Sequence, residues 1–269
     1  QNGRNTKEKA DMKNKINLLI LVIYPIVASF LSFYLDANAF VSILLFLVVP
    51  SIFLTFISNF NNSLNVLIFS LVGPVPFVIF FDYIAHINNQ WLIKNSILDF
   101  RFLGIVTIEV ILWTYFLSYF MVMFYEYFLD QKDKIILWGN RMTKFTLLFV
   151  SLFVLFLFFY YSAPSLLIFP YAYFWLGSIF FLTPIIIQLI RRPCFAYKYF
   201  YMLIFFFYYT IFYEITALKL GWWSFPSNNF IGFVSLFGVT FPFEEFFFWL
   251  ILLSTACISY YEFFDDNDK

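Results

Sequence analysis

The sequence predicts an all-α integral membrane protein of about eight transmembrane helices, arranged as two tandem parallel four-helix repeats. Three observations carry that reading. Hydrophobic residues make up 63% of the chain and charged residues 12%, where a soluble domain has about 25% charged residues. Aromatics reach 26%, with 44 Phe and 19 Tyr, more apolar surface than a water-soluble core of 269 residues can hide. The apolar residues fall into runs of membrane-spanning length, and the second half of the chain repeats acidic and aromatic landmarks of the first.

A bilayer-crossing helix needs about 20 mostly apolar residues. Residues 1–15 are polar and basic and read as a cytosolic tail. The first apolar run, 16–35, is too long for a signal-peptide core and lacks a small-residue cleavage site, so it should stay attached. A second run covers 40–57. The polar turn 58–63 separates it from a third, 64–85, which contains Gly73-Pro74-Val75-Pro76 and should kink there. Prolines are tolerated in membrane helices when neighbours satisfy the freed carbonyls. After a polar-aromatic connection, 86–102, comes a fourth helix over 104–129 and a charged loop to 144. The later helices are expected at 145–161, 166–190, 197–218 and 236–261. In domain terms this gives a tail (1–15), a first repeat (16–130), a cytosolic linker (131–144), a second repeat (145–262) and an acidic tail (263–269).

Charge fixes the expected orientation. Of the 16 basic residues, only Lys94, Arg101 and Lys219 fall in segments on the far side from the N-terminus; the other thirteen share its side. Short loops rich in Lys and Arg stay inside, so both termini are expected in the cytosol of a multi-pass cell-membrane protein.

The repeat shows in spacing. Asp82 and Trp91 lie nine apart, as do Glu214 and Trp223, at an offset of 132. Glu109, Trp113, Tyr125, Glu126, Phe128 and Asp130 recur as Glu245, Trp249, Tyr261, Glu262, Phe264 and Asp266, at an offset of 136. A four-residue insertion in the second outer loop reconciles the two. With four spans per half, both repeats share one orientation, as parallel transporter repeats do.

The most informative stretch is Pro242-Phe243-Glu244-Glu245-Phe246-Phe247-Phe248-Trp249. A proline and two acids suit the first turn of a helix, where the missing N–H has no partner and carboxylates face the positive end of the dipole. Yet a carboxylate within a membrane helix costs about 2.5–3.5 kcal/mol on insertion scales, so such residues usually face a bundle interior and carry function. Glu109, Glu244 and Glu245 are expected near the outer ends of the fourth and eighth helices, with Asp82 and Glu214 at the same depth on the third and seventh. Glu126 and Glu262 are expected at the opposite, solvated interface. Glu245 with Trp249 and Glu109 with Trp113 are four apart and share a helix face, and an aromatic face attracts positive charge. Cys194 and Cys257 show no metal spacing or disulfide framework, and His86 is the single histidine, so no metal site is expected. Nothing points to nucleic acid.

The Pro-x-Glu-Glu-x-x-Phe-Phe pattern, here 242–249, and its duplication in two halves resemble the lycopene cyclase domain family, the small integral-membrane carotenoid cyclases of bacteria, archaea and fungi. The resemblance covers nearly the whole chain after residue 15. In the first half the motif departs from the family: Val106-Thr107-Ile108-Glu109 stands where proline and two acids are usual. The resemblance implies closure of the ψ end of lycopene, or a related linear carotenoid, into an ionone ring without flavin. It implies the bilayer, and other enzymes of carotenoid synthesis, as surroundings and partners. The eight glycines are nowhere two apart, so no G-x-G dinucleotide turn exists. Such closure is an isomerisation in which one proton enters the terminal double bond, the next double bond traps the cation, and another proton leaves. Glu244 or Glu245 is expected to donate the proton, the other staying anionic beside the cation. Glu109, Glu214 and Asp82 are candidates for base or orienting partner. Pro242, Phe248, Trp249, Trp113, Trp223 and Trp91 are expected to line the substrate. A proton- or cation-coupled transporter suits intramembrane acids too, but should spread them along a pathway. A membrane prenyltransferase would need aspartates holding magnesium against a diphosphate, and the only candidate run is Asp265-Asp266-Asn267-Asp268 in the tail.

Overall fold

The structure is a computed structural model that describes residues 2–58, 60–94, 96–130 and 140–264, with side chains described from residue 12 onward except at 60–62. Linker residues 131–139, with Lys132 and Lys134, and tail residues 265–269, with its aspartates, lie outside the described residues, as do Asn95 and the side chains of Arg4, Lys7 and Lys9. Among the described residues, eight helices are long and apolar enough to cross a membrane: α1 (Met12–Tyr34), α2 (Ala39–Ile57), α3 (Ser63–Ile87), α4 (Ile108–Asp130), α5 (Asn140–Ser162), α6 (Ala172–Arg191), α7 (Pro193–Leu220) and α8 (Glu245–Phe264). In α4 and α8, 67% and 56% of the apolar window is buried, against 22–28% for α1, α5 and α6. The first two are therefore the centre of the bundle. α4 packs on α2, α3 and α8, and α8 packs on α4, α5, α6 and α7. Phe30, Phe56 and Tyr161 stay exposed on the outer helices, which lipid tolerates because its tails are as apolar as leucine.

The polar stretch before the first span is helical from Asn2, continuous with α1, because Lys7 to Ala10 are good helix formers with nothing to break the run. Two expectations about boundaries are corrected. The fourth helix starts at Ile108 rather than 104, and the eighth at Glu245 rather than 236. In both places a hairpin precedes the helix. β2 (Arg101–Phe102) pairs antiparallel with β3 (Val106–Thr107), and β5 (Phe233–Leu236) with β6 (Val239–Pro242). Both turns need positive φ at two successive residues, supplied by Leu103 and Gly104 (52° and 75°) and by Phe237 and Gly238 (48° and 80°). Glycine takes such a conformation without the Cβ penalty. A continuous apolar run reads alike as strand and as buried helix, so the strands were hidden in the helical runs. Pro242 closes β6 instead of sitting in the first helical turn.

The expected break in α3 is present: the helix stops at Val72 and restarts at Pro74. The ring of Phe145 takes the place a Cβ on Gly73 would occupy. α2 and α6 bend by a second device. Leu44–Val48 and Ser178–Leu182 wind as π-helix, and Pro50 and Pro184 follow two residues later. A proline cannot donate to the carbonyl four residues back and presses its ring against it; those carbonyls belong to Phe46 and Phe180. Tyr209 Oη donates to Phe46 O from α7, and Tyr260 Oη to Phe180 O at 3.0 Å from α8. Neighbouring helices thus satisfy what the prolines free.

At the ends of α4 and α8 away from the hairpins, Glu126 and Glu262 are buried, which corrects the expectation of a solvated interface. Tyr125 Oη donates to Glu262, and Lys198 Nζ donates to Tyr125 Oη at 2.8 Å while pairing with Asp130. Hydrogen bonds and an ion pair let these groups leave water, since unpartnered charge would be costly here. The knot ties α4, α7 and α8 together.

Candidate active site

At the hairpin end of the bundle, α3, α4, α7 and α8 form a cavity lined by Asp82, Glu109, Glu214 and Glu245. Trp91, Trp113, Trp223 and Trp249 line it too. Eight of the eleven residues singled out by the sequence are therefore brought to one cavity, one carboxylate and one indole for each of two positions in each half. Pro242, Phe248 and Glu244 are not in its wall. Phe248 packs its ring into the space above Gly177 on α6, where even a Cβ would meet it at 2.4 Å.

Short, specific elements aim these side chains. α7 ends at Gly221, whose φ of 69° turns the chain sharply. The next residues form β4 (Trp223–Ser224), which pairs antiparallel with β1 (Leu92–Ile93) across the two outer loops. That pairing sets Trp91 and Trp223 with ring centres 6.1 Å apart. Deeper in, Trp113 and Trp249 sit 5.6 Å apart, each one turn after its glutamate on α4 or α8. The cavity is thus walled by two indole pairs, each drawn from both halves of the chain.

The four carboxylates differ in what holds them. Glu109 accepts from Ser96 Oγ at 2.8 Å and from the Ile97 N–H at 2.6 Å, so the first outer loop clamps it. Glu214 accepts from Trp223 Nε1 at 3.1 Å. Glu245 accepts from Tyr173 Oη at 2.5 Å. Asp82 makes no protein hydrogen bond among the described residues, though it is only 5% exposed. Glu244, the neighbour of Glu245, is fully buried and faces elsewhere: its Oε1 accepts from the Ile231 N–H at 2.7 Å, and its Oε2 has no hydrogen-bond partner among the described residues. Burial pushes the Glu244 carboxyl above the usual glutamate range, against the pull of the Ile231 N–H. Adjacent helical residues point about 100° apart, so two neighbouring acids cannot both enter one narrow cavity.

No family model, curated protein or solved structure matches the chain. What the site can do is therefore read from its own chemistry.

Tyr173 is the residue the sequence did not announce. It stands at the start of α6, and its own N–H donates to Gln90 Oε1 at 2.6 Å, while Gln90 Nε2 donates to Asn229 O at 3.1 Å. Its ring stacks on Trp249 at 6.2 Å. No local pattern marks a tyrosine that meets its partner 72 residues later. Tyr213 also lines the cavity, and its hydroxyl and Trp113 Nε1 are buried donors without a partner among the described residues. The wall therefore combines acids able to give and take protons with stacked indoles able to surround a cation.

Proposed function

We propose that the protein is a carotenoid cyclase of the lycopene type, closing the ψ end of a linear carotenoid into an ionone ring by redox-neutral isomerisation. The observation that carries this is the convergence of four carboxylates from four helices in one indole-walled cavity inside an otherwise apolar bundle. A polyene end needs an acid to protonate it, a base to take a different proton, and walls that keep water from the cation meanwhile. Glu245 is the donor on this reading. Tyr173 positions it by occupying Oε2, which leaves Oε1 to face the substrate. Asp82, which accepts no hydrogen bond from the described residues, is the base. Glu214 stays beside Glu245 to balance the developing charge, and the Trp113–Trp249 and Trp91–Trp223 pairs stabilise the cation through their faces. Glu109 is the loop anchor.

Several features support the two-repeat architecture that goes with this reading. The strands β1 and β4 pair with Leu92 opposite Ser224, positions equivalent at the offset of 132. The π-segments of α2 and α6 precede Pro50 and Pro184 by the same two residues. The second half, longer by four residues between its indole and its glutamate, also has the longer hairpin: β2 and β3 have two residues each, β5 and β6 have four. The family's proline and second acid, missing from the first half, fall here on Pro242 and Glu244, outside the cavity wall, so their absence leaves the first half's cavity carboxylates intact.

With both termini in the cytosol, as the basic residues suggest, the cavity lies in the outer half of the cell membrane. A reporter active only outside should work when inserted after Lys94 or Ser227 and fail between residues 131 and 139. Activity in that third position would overturn the orientation.

Glu126, Asp130 and Glu262 favour a second reading, a proton-coupled transporter, because they bury acids at the other end of the same central helices. Expression in a lycopene-accumulating bacterium separates the two. A cyclase converts the red acyclic pigment to ringed products that chromatography resolves; a transporter leaves the pigment unchanged.

A further inference from the structure

The acid cavity opens onto a second volume with a different character. An apolar pocket lies between α3, α4, α5, α6 and α8, and it shares Val78, Trp113 and Trp249 with the acid cavity. No charged side chain lines it; the wall is phenylalanine, leucine and methionine with a few small polar groups. From Trp113 to Met121 on α4, and from Trp249 to Tyr260 on α8, it extends roughly 12–16 Å at about 1.5 Å per residue. Phe145, fully buried and wedged over Gly73, lines its far end. An apolar volume of this kind stays dry and accepts apolar ligands.

The opposite side of the Trp113–Trp249 pair is built otherwise. Between α2, α4, α7 and α8 lies a smaller space, and Glu214 and Glu245 enter its wall. Tyr209 and Thr210 line it, fixed by bonds to Phe46 O and Phe206 O. One side is thus an open, uncharged chamber and the other a narrow space with two acids.

We infer that the chamber on the α3–α5 side is the binding site for the stretch of a linear isoprenoid chain that adjoins its reacting end, the end itself sitting among the carboxylates. A chain enters in one direction only, and one end reacts at a time. Naming the occupant an isoprenoid rests on the cyclase reading; the chamber as a long-chain site does not depend on turnover.

The test measures binding and conversion separately. Purified protein in detergent is titrated with an acyclic forty-carbon polyene, which quenches the tryptophan fluorescence of the Trp113–Trp249 junction, and product is followed in parallel. Cys257→Phe fills the chamber from α8, and Ser118→Phe fills it from α4, so misfolding of one variant leaves the other; size-exclusion elution checks both. Each should weaken polyene binding at least tenfold, while Thr210→Phe on the narrow side weakens it less than threefold. Wild-type affinity in both chamber variants, or a greater loss in Thr210→Phe, would overturn the chamber as the chain site. Binding that is lost in the chamber variants, with no cyclised product from wild type, would uphold the chamber and sink the cyclase reading. Cyclisation by wild type with unchanged binding in the chamber variants would do the reverse.

Discussion

Glu245→Gln is expected to lower turnover of an acyclic carotenoid by about 10²–10⁴-fold, the usual contribution of a positioned acid, while Glu244→Gln lowers it less than tenfold. The two side chains are neighbours in sequence and alike in chemistry, so composition cannot tell them apart. Geometry does. Glu245 lines the cavity and receives the Tyr173 hydroxyl, whereas Glu244 lies outside it and holds the Ile231 N–H. Glutamine preserves size and still accepts that N–H, so the Glu244 variant keeps the loop in place. In the Glu245 variant the amide accepts from Tyr173 but has no acidic proton to give. Rates of the two purified variants against one substrate decide the point, and equal losses would mean that the cavity does not define the acid.

Asp82→Asn is expected to cost a similar factor, about 10²–10⁴-fold, and Glu109→Gln much less. Asp82 is the cavity carboxylate to which no described residue donates a hydrogen bond, which leaves its oxygens to accept a proton from carbon. Glu109 spends its oxygens on Ser96 and Ile97. An amide at 109 keeps the bond from Ile97, and only part of the clamp on the first outer loop is lost. Single-turnover conversion by both variants tests this, with intact carotenoid binding as the control that separates lost chemistry from lost fit. A Glu109 loss as deep as that of Asp82 would make the anchor a participant.

Much of this was legible in the sequence, for identifiable reasons. The eight spans follow from hydropathy because the bilayer imposes length and apolarity on each helix separately. The kink at Gly73-Pro74 follows from local backbone chemistry. Asp82, Glu109, Glu214 and Glu245 stood out because charge among phenylalanines is expensive. What escaped depends on long-range packing. The hairpins before α4 and α8 were hidden because an apolar strand and an apolar helix start look alike, although Leu103-Gly104 and Phe237-Gly238 carried the turn. Tyr173 reaches Glu245 only because α6 packs beside α8, and Gln90 holds it there. Glu262 was read as solvated because the hydroxyl that reaches it, from Tyr125, and the Lys198 amine that backs Tyr125 come from other helices.

The central claim is that a carboxylic acid in this cavity starts a redox-neutral ring closure, and proton provenance tests it most directly. Purified protein is given an acyclic carotenoid in deuterated water, without flavin or nucleotide, and the product is analysed by mass spectrometry. The account predicts one deuterium per new ring, at the carbon protonated first, with no change in oxidation state. Product formation that needs reduced flavin, or a ring that carries no deuterium, would contradict it.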